Sequence, residues 1–172
     1  MLRKLYLAAV AWTVTGLLSG LFYREFTKAM NVNGGTQLAL VHTHSLMLGT
    51  AMLLIVMALV KVFHLSGRPL TAFFWVWNAG LLVTVSTLVI KGIFQVMKNT
   101  VAANNAALAG IAGLGHITLT VGFVLLFVAL APAMSSKVTP ASATPSRADA
   151  GWDLSLIHIS EPTRRPPISY AV

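Results

Sequence analysis

Cysteine is absent from this 172-residue chain. That absence excludes disulfides, thiolate metal sites and iron–sulfur clusters. Charge is also scarce. Only 9% of the residues are Asp, Glu, Lys or Arg, where a soluble domain carries about a quarter. What fills the gap is apolar: 56% of residues are hydrophobic and the mean hydropathy is +0.79. This is the composition of a polytopic helical membrane protein. The formal charge of +8 does not mark a nucleic-acid binder. The Lys and Arg residues sit singly at the ends of apolar runs, as orientation signals and headgroup contacts do. The lipid bilayer is therefore the expected partner, and nucleic acid is not.

Four apolar runs predict an all-α, integral membrane four-helix bundle over residues 1–133. The first run, 5–23, has about 19 residues, enough to cross a bilayer core. It reads as a retained helix and not a signal peptide, because it lacks a small-x-small cleavage site. Gly16 and Gly20, four apart, let a neighbouring helix approach closely. Thr13, Gly16, Gly20 and Arg24 share one face. Residues 24–35 read as a loop, with Asn31-Val-Asn-Gly-Gly35 as turn chemistry. The second span is 37–60, and Ser66-Gly-Arg-Pro69 breaks the chain after it. The third is 70–96, with Trp75 and Trp77 expected at a membrane–water interface. A loop over 98–105 leads to the fourth span, 106–130, which Pro132 should stop. Residues 134–153, rich in Ala, Ser, Thr and Pro, read as a disordered tail. Residues 154–172 look like the translation of sequencing-adapter DNA. They are set aside as non-biological, together with His158.

Four spans put both termini on one side. An inward N-terminus assigns Arg3, Lys4, Lys61, Arg68, Lys137 and Arg147 to the cytoplasm. Arg24, Lys28 and Lys98 then lie outside. That bias predicts an inner (plasma) membrane protein with both termini cytoplasmic.

Ionisable side chains at membrane depth are costly, so each one is a functional-site candidate. At about 1.5 Å per residue, His42 and His44 lie roughly 8 and 10 Å below the outer start of their span. Lys91 lies roughly 10 Å below Lys98, and His116 roughly 15 Å below the start of the fourth span. With Arg24, Glu25 and Gln95, these polar groups gather in the outer half, leaving the inner half almost purely aliphatic. His42 and His44 differ by about 200° around the helix, so they cannot do the same job. His42 shares a face with Leu38, Ser45 and Gly49. His44 shares the opposite face with Gln37, Leu40, Leu48 and Ala51. Which of the two faces inward stays open. His116 lies below Ala109, Ala112 and Gly113, small residues that leave room for something flat.

This pattern fits a b-type haem held by His116 and one histidine of the second span, since imidazoles are good axial ligands. Arg24 or Lys91 would pair with the propionates, with Gln95 nearby. A transition metal such as copper or zinc on His42, His44 and His116 is the second option. The third is that the histidines only hydrogen-bond across helices and hold the bundle together. The corresponding functions are a redox accessory protein, or a non-catalytic membrane subunit or small transporter. Partners would be a second copy or a respiratory-type membrane protein.

The stretches Gly20-Leu-Phe-Tyr-Arg-Glu-Phe-Thr-Lys28, His42-Thr-His44 to Gly49, Lys91-Gly-Ile-Phe-Gln-Val96 and Gly110-Ile-Ala-Gly-Leu-Gly-His116 resemble a family of short bacterial membrane proteins. That family is known only as a domain of unknown function. The resemblance covers residues 5–130 and implies a four-span inner-membrane protein with no established activity. Lys91 stands where the family leads one to expect Arg, which keeps the charge and loses the bidentate geometry. More distantly, the second span looks like the haem-ligand helices of the haem–copper oxidase large subunit. The chain lacks the helices and histidines of a complete oxidase.

Overall fold

The structure, a computed structural model, describes residues 1–135. Among them all regular structure is helical, and four helices are long and apolar enough to cross a membrane. Of the expected tail, only Met134 and Ser135 are described, and they end the fourth helix. The rest of it, and the adapter-like segment 154–172, lie outside the described residues.

The first span is a single helix, Leu2–Ala29. It continues past Tyr23, so Arg24, Glu25 and Lys28 ride on a helix where a loop was expected. Polarity ends the membrane crossing, but it does not end backbone hydrogen bonding. Phe22 and Phe26 stack with ring centroids 5.2 Å apart, and Thr27 Oγ1 donates to Tyr23 O at 2.7 Å. The second span runs over Gln37–Val62. Its middle, Ser45–Ala51, is π-helical. The third is Arg68–Val96, with Pro69 in the first turn, where a missing N–H costs nothing. A short helix, Thr100–Ala103, lies in the third loop. Asn99 Oδ1 caps it by accepting from Ala102 N at 3.0 Å. The fourth span, Ala106–Ser135, runs through Pro132. Proline has a helical φ and removes only one i→i−4 bond, so the helix tolerates it near this end.

Each span packs on its neighbour in sequence. The first lies on the second, the second on the third and the third on the fourth; among the described residues no comparable contact joins the fourth to the first or second. Lipid tails are as apolar as side chains, so close packing and interhelical hydrogen bonds must hold these seams. Between the first two spans, Thr13 and Thr50 hydroxyls meet at 2.9 Å. A Cβ on Gly16 would lie 2.7 Å from Leu46, and one on Gly20 3.0 Å from His42 Nδ1. Thr13, Gly16 and Gly20 thus form one packed face, as their spacing predicts.

Two expectations need correcting. Trp77 is fully buried in the bundle, while Trp75 is 61% exposed with Lys4 Nζ 5.9 Å from its ring centroid. Two residues apart on a helix means nearly opposite faces, so only one tryptophan can serve an interface. Nor is the half of the bundle near the N-terminus purely aliphatic. Trp12 Nε1 donates to Asn78 Oδ1 at 2.9 Å, and Asn78 Nδ2 donates to Phe74 O at 2.7 Å. This paired amide joins the first span to the third.

Candidate functional site

His42 faces the first span. Its Nδ1 lies 2.8 Å from the Gly16 carbonyl, and the ring fills the space that Gly20 leaves open. A carbonyl only accepts, so Nδ1 carries the proton. This is an interhelical hydrogen bond.

His44 and His116 are held differently. His44 Nδ1 donates to Leu40 O at 2.9 Å, and His116 Nδ1 donates to Ala112 O at 2.9 Å. Each bond runs to the residue's own helix, four positions back. Each fixes the tautomer and leaves Nε2 with a lone pair. His44 opens onto a shallow groove with Thr43, Met47 and Leu48. His116 lines a cavity of about 100 Å³ with Gln37, Thr84, Thr87, Lys91 and Ala112.

The seams set the depth of each imidazole. Leu38 lies against Gly92, and Gly115 against Thr84. Counting along the antiparallel neighbours, His44 is level with Ser86 and His116 with Val83, so they differ in depth by about 5 Å. They also share a side. Gln37, Val41, His44 and Leu48 follow one helical face. Gln37 lines the His116 cavity, and the Leu48 carbonyl accepts from Trp77 Nε1 of the third span at 2.9 Å. His44 and His116 therefore flank the third span from its two neighbours, while His42 turns away toward the first.

The other expected site residues divide. Lys91 joins His116 at the cavity. Gln95 is close by, but its Oε1 accepts from the Gln37 backbone N–H at 2.7 Å and so caps the second span. Arg24 lies exposed, its guanidinium 3.4 Å from Glu25, and does not reach the cavity. Among the described residues no group of three or more metal-ligating side chains comes together. His42, His44 and His116 do not form one centre, because the first points to a different helix.

The family model described as "Protein of unknown function (DUF2871)" matches residues 2–133. The chain belongs to this family. No curated protein and no solved structure matches it. The likeness of the second span to haem–copper oxidase helices therefore rests on the motif alone.

Several residues of this family member escaped the sequence reading. Asn78 carries the signal applied to the histidines, a costly polar group in an apolar run. Trp12 looks like a packing residue until its N–H group is given a partner, and Trp77, expected at an interface, is a buried donor instead. The π-helical turn has a physical reason. Met52 N–H donates to Met47 O, five residues back, which releases the Leu48 carbonyl from its α-helical partner. Trp77 supplies the replacement donor. Ser45 Oγ, at the start of this turn, is buried without a hydrogen-bond partner among the described residues.

Proposed function

We propose that this protein binds a b-type haem on the side where its second and fourth spans flank the third, that His44 and His116 are the residues that would hold it, and that it acts as a redox accessory protein of the bacterial inner membrane. The observation that carries the reading is the matched pair. Two imidazoles stand near one depth on the two helices flanking the third span, each with Nδ1 tied to a backbone carbonyl and Nε2 left for a ligand bond. A hydrogen bond from the far ring nitrogen to a carbonyl fixes ring orientation and raises ligand basicity. A Cβ on Gly113 would meet nothing within 4 Å, which supports space beside His116. Lys91, toward the loop end, supplies a cation for a propionate. Two protein ligands suit an octahedral haem iron better than a tetrahedral zinc site, which takes three or four. A bound haem would supply one-electron transfer to a membrane partner. The Lys/Arg bias supports cytoplasmic termini.

The visible spectrum tests this. Protein purified from haem-replete cells should show a Soret band that shifts on reduction by dithionite. His44→Ala and His116→Ala should each abolish it, while His42→Ala should retain it. A colourless preparation overturns the reading, and so does loss of the band in His42→Ala alone.

One observation favours a second reading, a non-catalytic subunit or small transporter. The cavity of about 100 Å³ beside Lys91 and His116 is sized for an ion or a few waters, at about 30 Å³ per water. A colourless preparation would leave this reading standing.

A further inference from the structure

The end of the bundle near the N-terminus carries positive charge with no counter-charge among the described residues. Arg3, Lys4, Lys61 and Arg68 are all exposed there, and none is in an ion pair among the described residues. The one acidic residue described, Glu25, sits at the opposite end beside Arg24. Two of these cations meet at one place. Arg68 lines an open pocket with Gly67, Thr71 and Trp75, and Lys4 lies over the Trp75 ring. Arg68 comes from the third span and Lys4 from the first.

The same helical faces lead into the membrane. On the third span, Arg68, Ala72, Trp75, Ala79, Leu82 and Ser86 follow one stripe, with steps of three and four. On the first, Lys4, Ala8, Ala11 and Thr15 do the same. Alanines line both stripes just above the charges. Higher up, Ala11, Leu82, Val89 and Ile90 border an apolar cavity of about 580 Å³ between the first and third spans. Its wall on the first span begins about 10 Å above Lys4, at 1.5 Å per residue. A single leaflet's hydrocarbon is about 15 Å deep.

We infer that this cleft is a binding site for an anionic glycerophospholipid. Lys4 and Arg68 take the headgroup phosphate, Trp75 sits at the ester level, and an acyl chain fills the cavity between the first and third spans. Charge complementarity selects the headgroup, and the continuity of the two stripes selects a lipid over a free phosphate. The site is separate from the histidine groove and stands whether or not haem binds.

Native mass spectrometry of the full chain, released from nanodiscs of equal phosphatidylglycerol and phosphatidylcholine, tests it. Phosphatidylglycerol should be retained preferentially. Each surface cation contributes about fivefold to such binding, so Lys4→Gln with Arg68→Gln should cut the preference by about 25-fold. Both side chains are exposed, and helix content by circular dichroism should not change. Ala11→Phe, which fills the cavity and leaves the cations in place, should also lower retention. Glycerol phosphate added in excess should not displace the lipid. Undiminished preference in the double variant, unchanged retention in Ala11→Phe, or displacement by glycerol phosphate would each overturn the proposal.

Discussion

Replacing Trp77 by phenylalanine should destabilise the bundle far more than the same change at Trp75. Trp77 is fully buried. Its ring stands edge-on to Phe123, centroids 4.7 Å apart, and its Nε1 donates to the carbonyl that the π-helical turn releases. Phenylalanine keeps the aromatic contact and loses the donor. An interhelical hydrogen bond in a bilayer averages about 0.6 kcal/mol and reaches about 1.7. Trimming a buried ring adds about 1 kcal/mol or more. The total of about 2–3 kcal/mol lowers the folded-to-unfolded ratio by about 30- to 150-fold. Trp75 is largely exposed, and an exposed site should change by no more than about 0.5 kcal/mol. Reversible unfolding in mixed micelles, titrated with dodecyl sulfate and followed by far-UV circular dichroism, measures both variants. If Trp77→Phe and Trp75→Phe agree to within about 0.5 kcal/mol, the π-helical carbonyl does not depend on Trp77, and the reasoning fails.

Glycines should sort by what stands opposite them. A Cβ on Gly92 would run into the backbone of Leu38, which no rotamer change relieves, so Gly92→Ala should cost about 1–3 kcal/mol in the same titration. Gly110 has nothing within 4 Å, and Gly110→Ala should be stabilising by up to about 1 kcal/mol through helix propensity. Trp12→Phe removes the donor to Asn78 and leaves a half-buried amide oxygen short of a partner; a loss of about 1 kcal/mol is expected, and Trp12→Phe with Asn78→Ala should cost less than the two single changes summed. A periplasm-dependent reporter fused after Lys137 should stay inactive; strong activity there reverses the orientation derived from the Lys/Arg bias.

The four crossings were legible because a run of about 20 apolar residues is a strong signal in itself. The first seam was legible too: Gly16 and Gly20 announce a close approach, and the Cβ positions show what approaches. The order of packing was not. Hydropathy reports that a helix is in lipid, not which helix lies beside it. From the sequence, His116 and one of His42 and His44 therefore looked like partners in one centre, with the choice between the two left open. The structure separates them by neighbour: His42 bonds to Gly16, while Lys91 and His116 share a cavity on the other side. Arg24 was assigned by depth alone, and its guanidinium stays with Glu25.

The split between His42 and His44 follows from their two-residue spacing, but the π-helical turn fixes where the rest of that helix points. The buried stripe of the second span includes Val41, Ser45, Gly49 and Leu53, steps of four throughout. In an ideal α-helix each such step overshoots the turn by about 40°, so three of them would swing the stripe by about 120°. Gly49 would then leave the Trp12 side chain that it packs against. A wider i→i+5 turn over Ser45–Ala51 absorbs the overshoot and holds the stripe on the first span. The cost is one displaced carbonyl at Leu48, which the third span covers through Trp77. The turn thus ties the second span to both neighbours at once, immediately below His44. The groove that His44 borders is built on a segment that cannot relax to a plain α-helix without undoing both seams.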